Sequence, residues 1–222
     1  GEWPQMDNRV TSDFFFVEED DPERVAMKIE DLVARRLPQG RGLDSMRQIQ
    51  VLSPMYKGET GALSLNRRLQ QRLNAGGRAH VIGDRELREG DRVMQVRNNY
   101  DKGVFNGDLG RIGRLQKGED EAFAEVVFED GVVQRYEFTE LEQLTLAYAI
   151  SIHRSQGSEF PAVVMPLTTQ HYPMLQRNLL YTAVTRAREL FVLVGSKRAL
   201  QRAIGNDEQA NRFTSLAQRL SL

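Results

Sequence analysis

Two segments concentrate side chains able to hold a charged ligand. The first, Ala149-Ile150-Ser151-Ile152-His153-Arg154-Ser155-Gln156-Gly157-Ser158-Glu159-Phe160, passes from apolar residues into a dense run of hydrogen-bonding groups and back to an apolar strand. Such a run at the carboxyl end of a parallel strand lies where α/β sheets bind ligands. Polar capping of a short helix accounts for Ser155 and Ser158 equally well, but not for the whole run. The second segment, Asn178-Leu179-Leu180-Tyr181-Thr182-Ala183-Val184-Thr185-Arg186-Ala187-Arg188-Glu189, sets Leu180, Val184 and Ala187 on one helical stripe and brings Arg186 and Arg188 near a helix end. There they suit the negative pole of the helix dipole. Alternatively, Arg186 reaches a nucleotide, where a fixed guanidinium stabilises charge developing on a γ-phosphate.

Charge distribution favours an anion site in this part of the chain. From Tyr148 to Gly205 seven basic residues (Arg154, Arg177, Arg186, Arg188, Lys197, Arg198, Arg202) face two acidic ones, Glu159 and Glu189, although the whole chain has a net charge of only −1. Of its 30 cationic residues 25 are arginine, whose planar fork suits phosphate; the base composition of a genome yields the same bias. With no cysteine and three scattered histidines (His80, His153, His171), thiolate chemistry is excluded and no metal site is expected. No apolar run reaches membrane-spanning length and no leader opens the chain, so a cytoplasmic location and no membrane partner are the expectation.

The elements that must position these groups alternate strand with helix. Phe14 to Val17 is a strand candidate, followed by a helix from an Asp21 cap and Pro22 to about Leu37, with Val25, Ile29, Leu32 and Val33 on one face and a break at Pro38–Gly42. Ile49 to Leu52 reads as a strand and Ala62 to Leu73 as a helix with Leu65, Leu69 and Leu73 four apart. From about Gly83 the pattern becomes short strands (91–96, 108–115, 122–128, 132–138) separated by turns such as Asn106-Gly107 and Asp130-Gly131, as in a small β-barrel. Alternation then resumes with strands at Leu146–Ile150, Ala162–Leu167 and Leu190–Val194, a helix from about Pro173 to Arg188, and helices from Lys197 and about Asp207. The reading is a parallel α/β domain split by a β insertion: residues 1–13 a linker, 14–82 and 145–222 the two parts of the α/β domain, and 83–144 the barrel.

These residues carry a family resemblance. HRSQGSEF followed by YTAVTRAR resembles motifs V and VI of superfamily 1 helicases, and RVMQVRNNYDKGVFNGDLGRI returning into motif V is similar to the RecD-like and Pif1-like branch. The whole is similar to the C-terminal half, the second motor domain, of a bacterial RecD-like DNA helicase. The resemblance implies a RecA-like domain interrupted by an SH3-like barrel, with ATP held between two RecA-like domains and single-stranded DNA crossing their top. It makes Arg186 the arginine finger, sets Gly157 and Glu159 near phosphate and ribose, and gives His153, Ser155 and Gln156 a place between nucleotide and DNA backbone. Pro54, Met55, Tyr56 and Lys57, with Asn66, resemble the motif IV region, making Lys57 a nucleotide-phosphate or DNA contact, grouped with the nucleotide-binding residues, and Asn66 a DNA contact. Asn98, Asn99, Asn106 and Gly107 match the opening motif of the barrel, where Arg97, Asn99 and Tyr100 are expected to touch DNA. Movement from 5′ to 3′ is implied in the same way.

The sequence contains no G-x-x-x-x-G-K-[ST] phosphate loop and no strand ending in paired acids for magnesium. The expected partner is an N-terminal motor domain carrying both, so that ATP and magnesium are completed from outside this sequence and the chain alone is inactive. A nucleic-acid or protein binding module without ATPase activity is the alternative, although it has no use for Arg186 and Glu159. RNA in place of DNA, and fusion to a relaxase, stay open at this stage.

Overall fold

The computed structural model describes residues 13–83, 85–116 and 122–206. The expected linker, apart from Asp13, and the helix from Asp207 lie outside the described residues. Five parallel strands form one sheet in the order β1 (Phe14–Glu18), β12 (Ala187–Gly195), β11 (Phe160–Leu167), β2 (Ile49–Ser53), β10 (Ala149–Ser151). Alternate residues of β11 serve opposite faces, as the two-residue strand period demands. Val163 and Met165 pack with Phe191, Leu193, Ala199 and Leu200 under α4 (Arg177–Val184) and α5 (Lys197–Gly205). Ala162 and Val164 pack with Val25, Ile29, Leu65 and Leu69 of α1 (Pro22–Asp31) and α3 (Ala62–Leu73). The expected parallel sheet, covered on both faces, is therefore present.

The first helix passes through its expected break. Leu37 N–H bonds to Leu32 O, giving a wide π turn over Leu32–Arg36, and the helix resumes as α2 (Leu37–Arg41) before Gly42 ends it in the left-handed region at φ 68°. Pro38 has no N–H and its ring crowds the carbonyl four residues back, so a widened turn lets the chain carry it. The Val33 carbonyl released by the wide turn accepts a hydrogen bond from Ser45 Oγ at 2.7 Å.

Between α3 and β10 lies the insertion. A hairpin of β3 (Ala79–Ile82) and β4 (Arg85–Arg88), not foreseen from the sequence, leads to a five-stranded antiparallel sheet in the order β8 (Val133–Glu137), β7 (Phe123–Phe128), β6 (Leu109–Gln116), β5 (Arg92–Gln95), β9 (Leu144–Leu146). The sheet curls on itself: Tyr136 of β8 donates through its hydroxyl to Gln95 Oε1 of β5 at 3.0 Å, across two intervening strands. Val93, Ile112, Val126, Tyr136 and Leu144 fill the interior. The single strand expected over Leu146–Ile150 is two strands: β9 pairs with β5 of the barrel and β10 pairs with β2 of the parallel sheet. The continuous apolar run hid the crossing at Ala147 and Tyr148.

Candidate nucleotide and nucleic-acid site

At the carboxyl end of β10 the chain tightens into a 3-10 turn, Ile152–Ser155, anchored by the buried Ile152. Ser155 is fully buried and its hydroxyl donates to Ile152 O at 2.7 Å. In this arrangement Ser155 holds the turn and presents no exposed surface to a strand. Gly157 adopts φ 87°, a backbone state that favours glycine, and Ser158 N–H closes onto Ser155 O at 3.0 Å. The fold of this loop turns His153, Arg154 and Gln156 outward. His153 and Gln156 share a cleft of about 330 Å³ with Met174, Asn178, Tyr181 and Thr182 of the α4 side.

The polar run then crosses to the amino end of β11. The helix expected from Pro173 to Arg188 is cut at both ends: a 3-10 turn occupies Thr169–Met174, α4 begins only at Arg177, and Ala187 already pairs with Phe160 as the first residue of β12. Arg186 therefore lies on the short link between α4 and β12, and Arg188 lies in the strand. Phe160 N–H donates to Arg186 O at 2.8 Å, which seats the arginine beside the loop from Gly157 to Glu159. Arg186 Nη1 donates to Ser158 O at 3.0 Å and Nη2 to Thr185 Oγ1 at 3.4 Å, whereas Nε is buried with no hydrogen-bond partner. Beside it Glu159 Oε2 accepts from Arg188 Nε at 3.1 Å, with both side chains more than half exposed. Arg186 thus lies beside the loop that carries Gly157 and Glu159.

Other expected contacts fall elsewhere. Lys57 is exposed in the loop after β2, at the carboxyl end of the sheet, and so stands at the opposite rim from Arg186. The structure does not bring these two together. Asn66 is 6% exposed, donates to Ala149 O at 2.7 Å and accepts from Ala149 N–H at 2.9 Å. With its amide engaged by β10, Asn66 is a clamp between α3 and the strand. Arg97 pairs with Glu142 at 2.6 Å on the barrel surface. Asn99 is half-buried, accepting from Lys102 N–H at 3.2 Å and donating to Gln143 Oε1 at 3.1 Å. Tyr100, 77% exposed, meets Phe105 edge-on with ring centroids 6.0 Å apart.

Sequence reasoning missed three groups. Arg154 borders a second groove, of about 180 Å³, with Tyr56, Thr145 and Leu146 between the sheet and the barrel; its place in the polar run was the available signal. His171 is buried, accepts from Thr168 N–H at 3.1 Å and meets Thr60 Oγ1 at 3.0 Å, tying the end of β11 to the loop that bears Lys57. Burial pushes its imidazole down to about 4. Asp91 and Arg92 are buried at the start of β5, where nothing but strand position distinguished them. Among the described residues no cluster of three or more possible metal ligands occurs, and no described helix is long and apolar enough to cross a membrane.

Comparison with known proteins agrees with this layout. The UvrD-like helicase C-terminal domain family matches residues 146–194, and the SH3 domain family of ATP-dependent RecD-like DNA helicases matches residues 65–128. The ATP-dependent RecD2 DNA helicase of Deinococcus radiodurans is 42% identical over 180 residues, covering 81% of this chain and 24% of that protein. The RecBCD enzyme subunit RecD of Mycolicibacterium smegmatis is 29% identical over 182 residues, covering 82% of this chain and 31% of that protein. The chain thus spans about a quarter of the length of the first of these relatives and under a third of the second. A crystal structure of Bacteroides Pif1 bound to single-stranded DNA overlaps 79% of this chain and 49% of its own, at 21% identity and a TM-score of 0.49. With a UvrD-like C-terminal domain and a RecD-type SH3 domain interleaved in one α/β fold, the chain belongs to the RecD-like helicase family, as its second, RecA-like motor domain interrupted by an SH3-like barrel.

Proposed function

We propose that this region is the half of an ATP-dependent DNA helicase motor that completes the nucleotide site with Arg186 and follows single-stranded DNA with His153, Gln156 and Tyr100. The observation that carries the reading is the seating of Arg186: half-buried and held through Ser158 O, it stands at a rim of the sheet beside Gly157 and Glu159. A part-exposed guanidinium at a rim of the sheet suits a phosphate arriving from a facing domain. That facing domain supplies the phosphate loop and the magnesium ligands, since this sequence has neither. The residues here bind and orient. Arg186 meets the charge that develops on the γ-phosphate, and Glu159 stands by the ribose side. The outward face of the 152–156 turn meets the DNA backbone, while Tyr100 stacks on a base. Lys57, at the other rim, fits the DNA path better than the nucleotide. Closure on ATP and reopening after hydrolysis give stepwise movement, from 5′ to 3′ on the family resemblance.

The test is single-turnover ATP hydrolysis by the complete enzyme carrying Arg186→Lys, which keeps the charge and loses the fork. Hydrolysis falls while ATP affinity and melting temperature hold. Normal hydrolysis in that variant rules out the arginine finger. The 222-residue chain alone is expected to show no DNA-stimulated hydrolysis, and robust turnover by it overturns the division between two domains.

A further inference from the structure

Asp91 and Arg92 are consecutive and buried, at 0% and 4% exposure, yet neither belongs to the site described above. The Asp91 carboxylate accepts from Gln70 Nε2 at 2.6 Å, Asn74 Nδ2 at 2.7 Å, Arg88 N–H at 2.7 Å and the Tyr148 hydroxyl at 2.8 Å. These donors come from α3 and its cap, from β4, and from the residue before β10. The Arg92 guanidinium points the other way, into the parallel sheet, and donates to Ile49 O at 2.8 Å and Gln50 Oε1 at 2.9 Å of β2. Gln50 Nε2 in turn donates to Ala147 O and Tyr148 O, each at 3.2 Å. Both charges are thus held by neutral dipoles.

Burying charge this way is costly compared with apolar packing of the same volume. Hydrogen bonds, unlike apolar contacts, fix an angle. Besides this network the insertion meets the parallel domain at its two chain crossings, α3–β3 and β9–β10, through Met94 and Leu109, which share a core cluster with Leu52 and Ile150, and through Gln70 Nε2 donating to Glu86 O at 3.0 Å. The crossings and the apolar contacts leave the relative angle of two domains free to vary. With the network, the first two residues of the barrel grip β2, α3 and Tyr148. Tyr148 directly precedes Ala149, which Asn66 clamps, and β10 runs within three residues into the turn bearing His153 and Gln156. We infer that Asp91 and Arg92 are positioning residues, which fix the orientation of the barrel, and so of its Tyr100 face, relative to the strand that carries the His153–Gln156 turn.

The chain has no cysteine, so two labels can be placed without interference, at Met27→Cys on α1 and Val133→Cys on β8, both more than half exposed. Spin-label distance distributions are then compared for the labelled parent and for Arg92→Met, Tyr148→Phe and Asp91→Ala. The parent gives one narrow distribution. Arg92→Met removes a buried charge, keeps the melting temperature near that of the parent, and at least doubles the width; Tyr148→Phe broadens it less. A purely structural role predicts the reverse for Arg92→Met, lower stability with unchanged width. Should Asp91→Ala not fold, the other two decide: parental width in both overturns the inference. In the complete enzyme Arg92→Met lowers base pairs unwound per ATP several-fold while single-strand-stimulated hydrolysis is kept. That second readout rests on the helicase reading and the distance measurement does not, so the two fail separately.

Discussion

The link around Arg186 and the joint around Asp91 both hold charge away from water, yet they treat it in opposite ways. At the joint the carboxylate has four donors from three segments. At the link one nitrogen of Arg186 is buried without an acceptor, and the neighbouring Glu159–Arg188 pair is open to solvent. A buried group left unpaired costs stability that folding alone does not repay, whereas a satisfied one rigidifies what it joins. On the proposed reading the link is the unfinished place, which takes a ligand, and the joint is the finished one.

Substitutions at the two places should therefore fail differently. The largest effect is expected from Arg186→Ala in the complete enzyme: turnover lowered by about 10³-fold or more, in the range of arginine fingers, with unfolding free energy and DNA affinity nearly kept. Stopped-flow hydrolysis beside a thermal melt checks this, and a stability loss with normal turnover would break the contrast. Asp91→Ala should do the converse, costing about 3–5 kcal/mol in denaturant unfolding, because four donors lose their acceptor in the interior.

His171 sharpens the comparison with a buried group that titrates. Its folded value, depressed to about 4 from 6.5, means that the unfolded chain binds the proton first as pH falls. Stability is complete above about pH 6.5, is lost between there and about pH 4, and is flat below for this group. The loss is about 3 kcal/mol at 1.36 kcal/mol per pH unit. Chemical unfolding across that window should show the slope, and His171→Gln should remove it. The smallest effect is expected at Glu159→Gln, where breaking an exposed pair with Arg188 costs under about 1 kcal/mol; a larger loss would put that pair with the finished class.

The sequence displayed the unfinished place more readily than the finished one. The run from His153 to Glu159 and the pair Arg186 and Arg188 stood out because polar groups crowd where a core strand should resume. Strand and helix alternation exposed the parallel sheet for the same reason, through the apolar runs of β2, β11 and β12. The joint was invisible, since Asp91 and Arg92 look like any charged residues beside a turn, and only the tertiary fold buries them. The end of α4 was misread because Leu180, Val184 and Ala187 keep a helical period although Ala187 is already paired with Phe160 in the sheet. Hairpin β3–β4 was overlooked because its first strand, Ala79–Ile82, is short and lies close to Gly76, Gly77 and Gly83.

The wide turn at Leu32–Arg36 has a consequence for how lineages of this fold can change length. A π turn is what a helix retains after one residue has been inserted and the flanking contacts kept. Deleting one residue there would restore uniform α geometry and leave the residues beyond it on the same face, so Leu37 would stay in the core. The Pro38 ring would then press on the carbonyl four residues back in an ordinary helix. A relative with a helix one residue shorter should therefore have given up the proline as well, so that the two changes travel together.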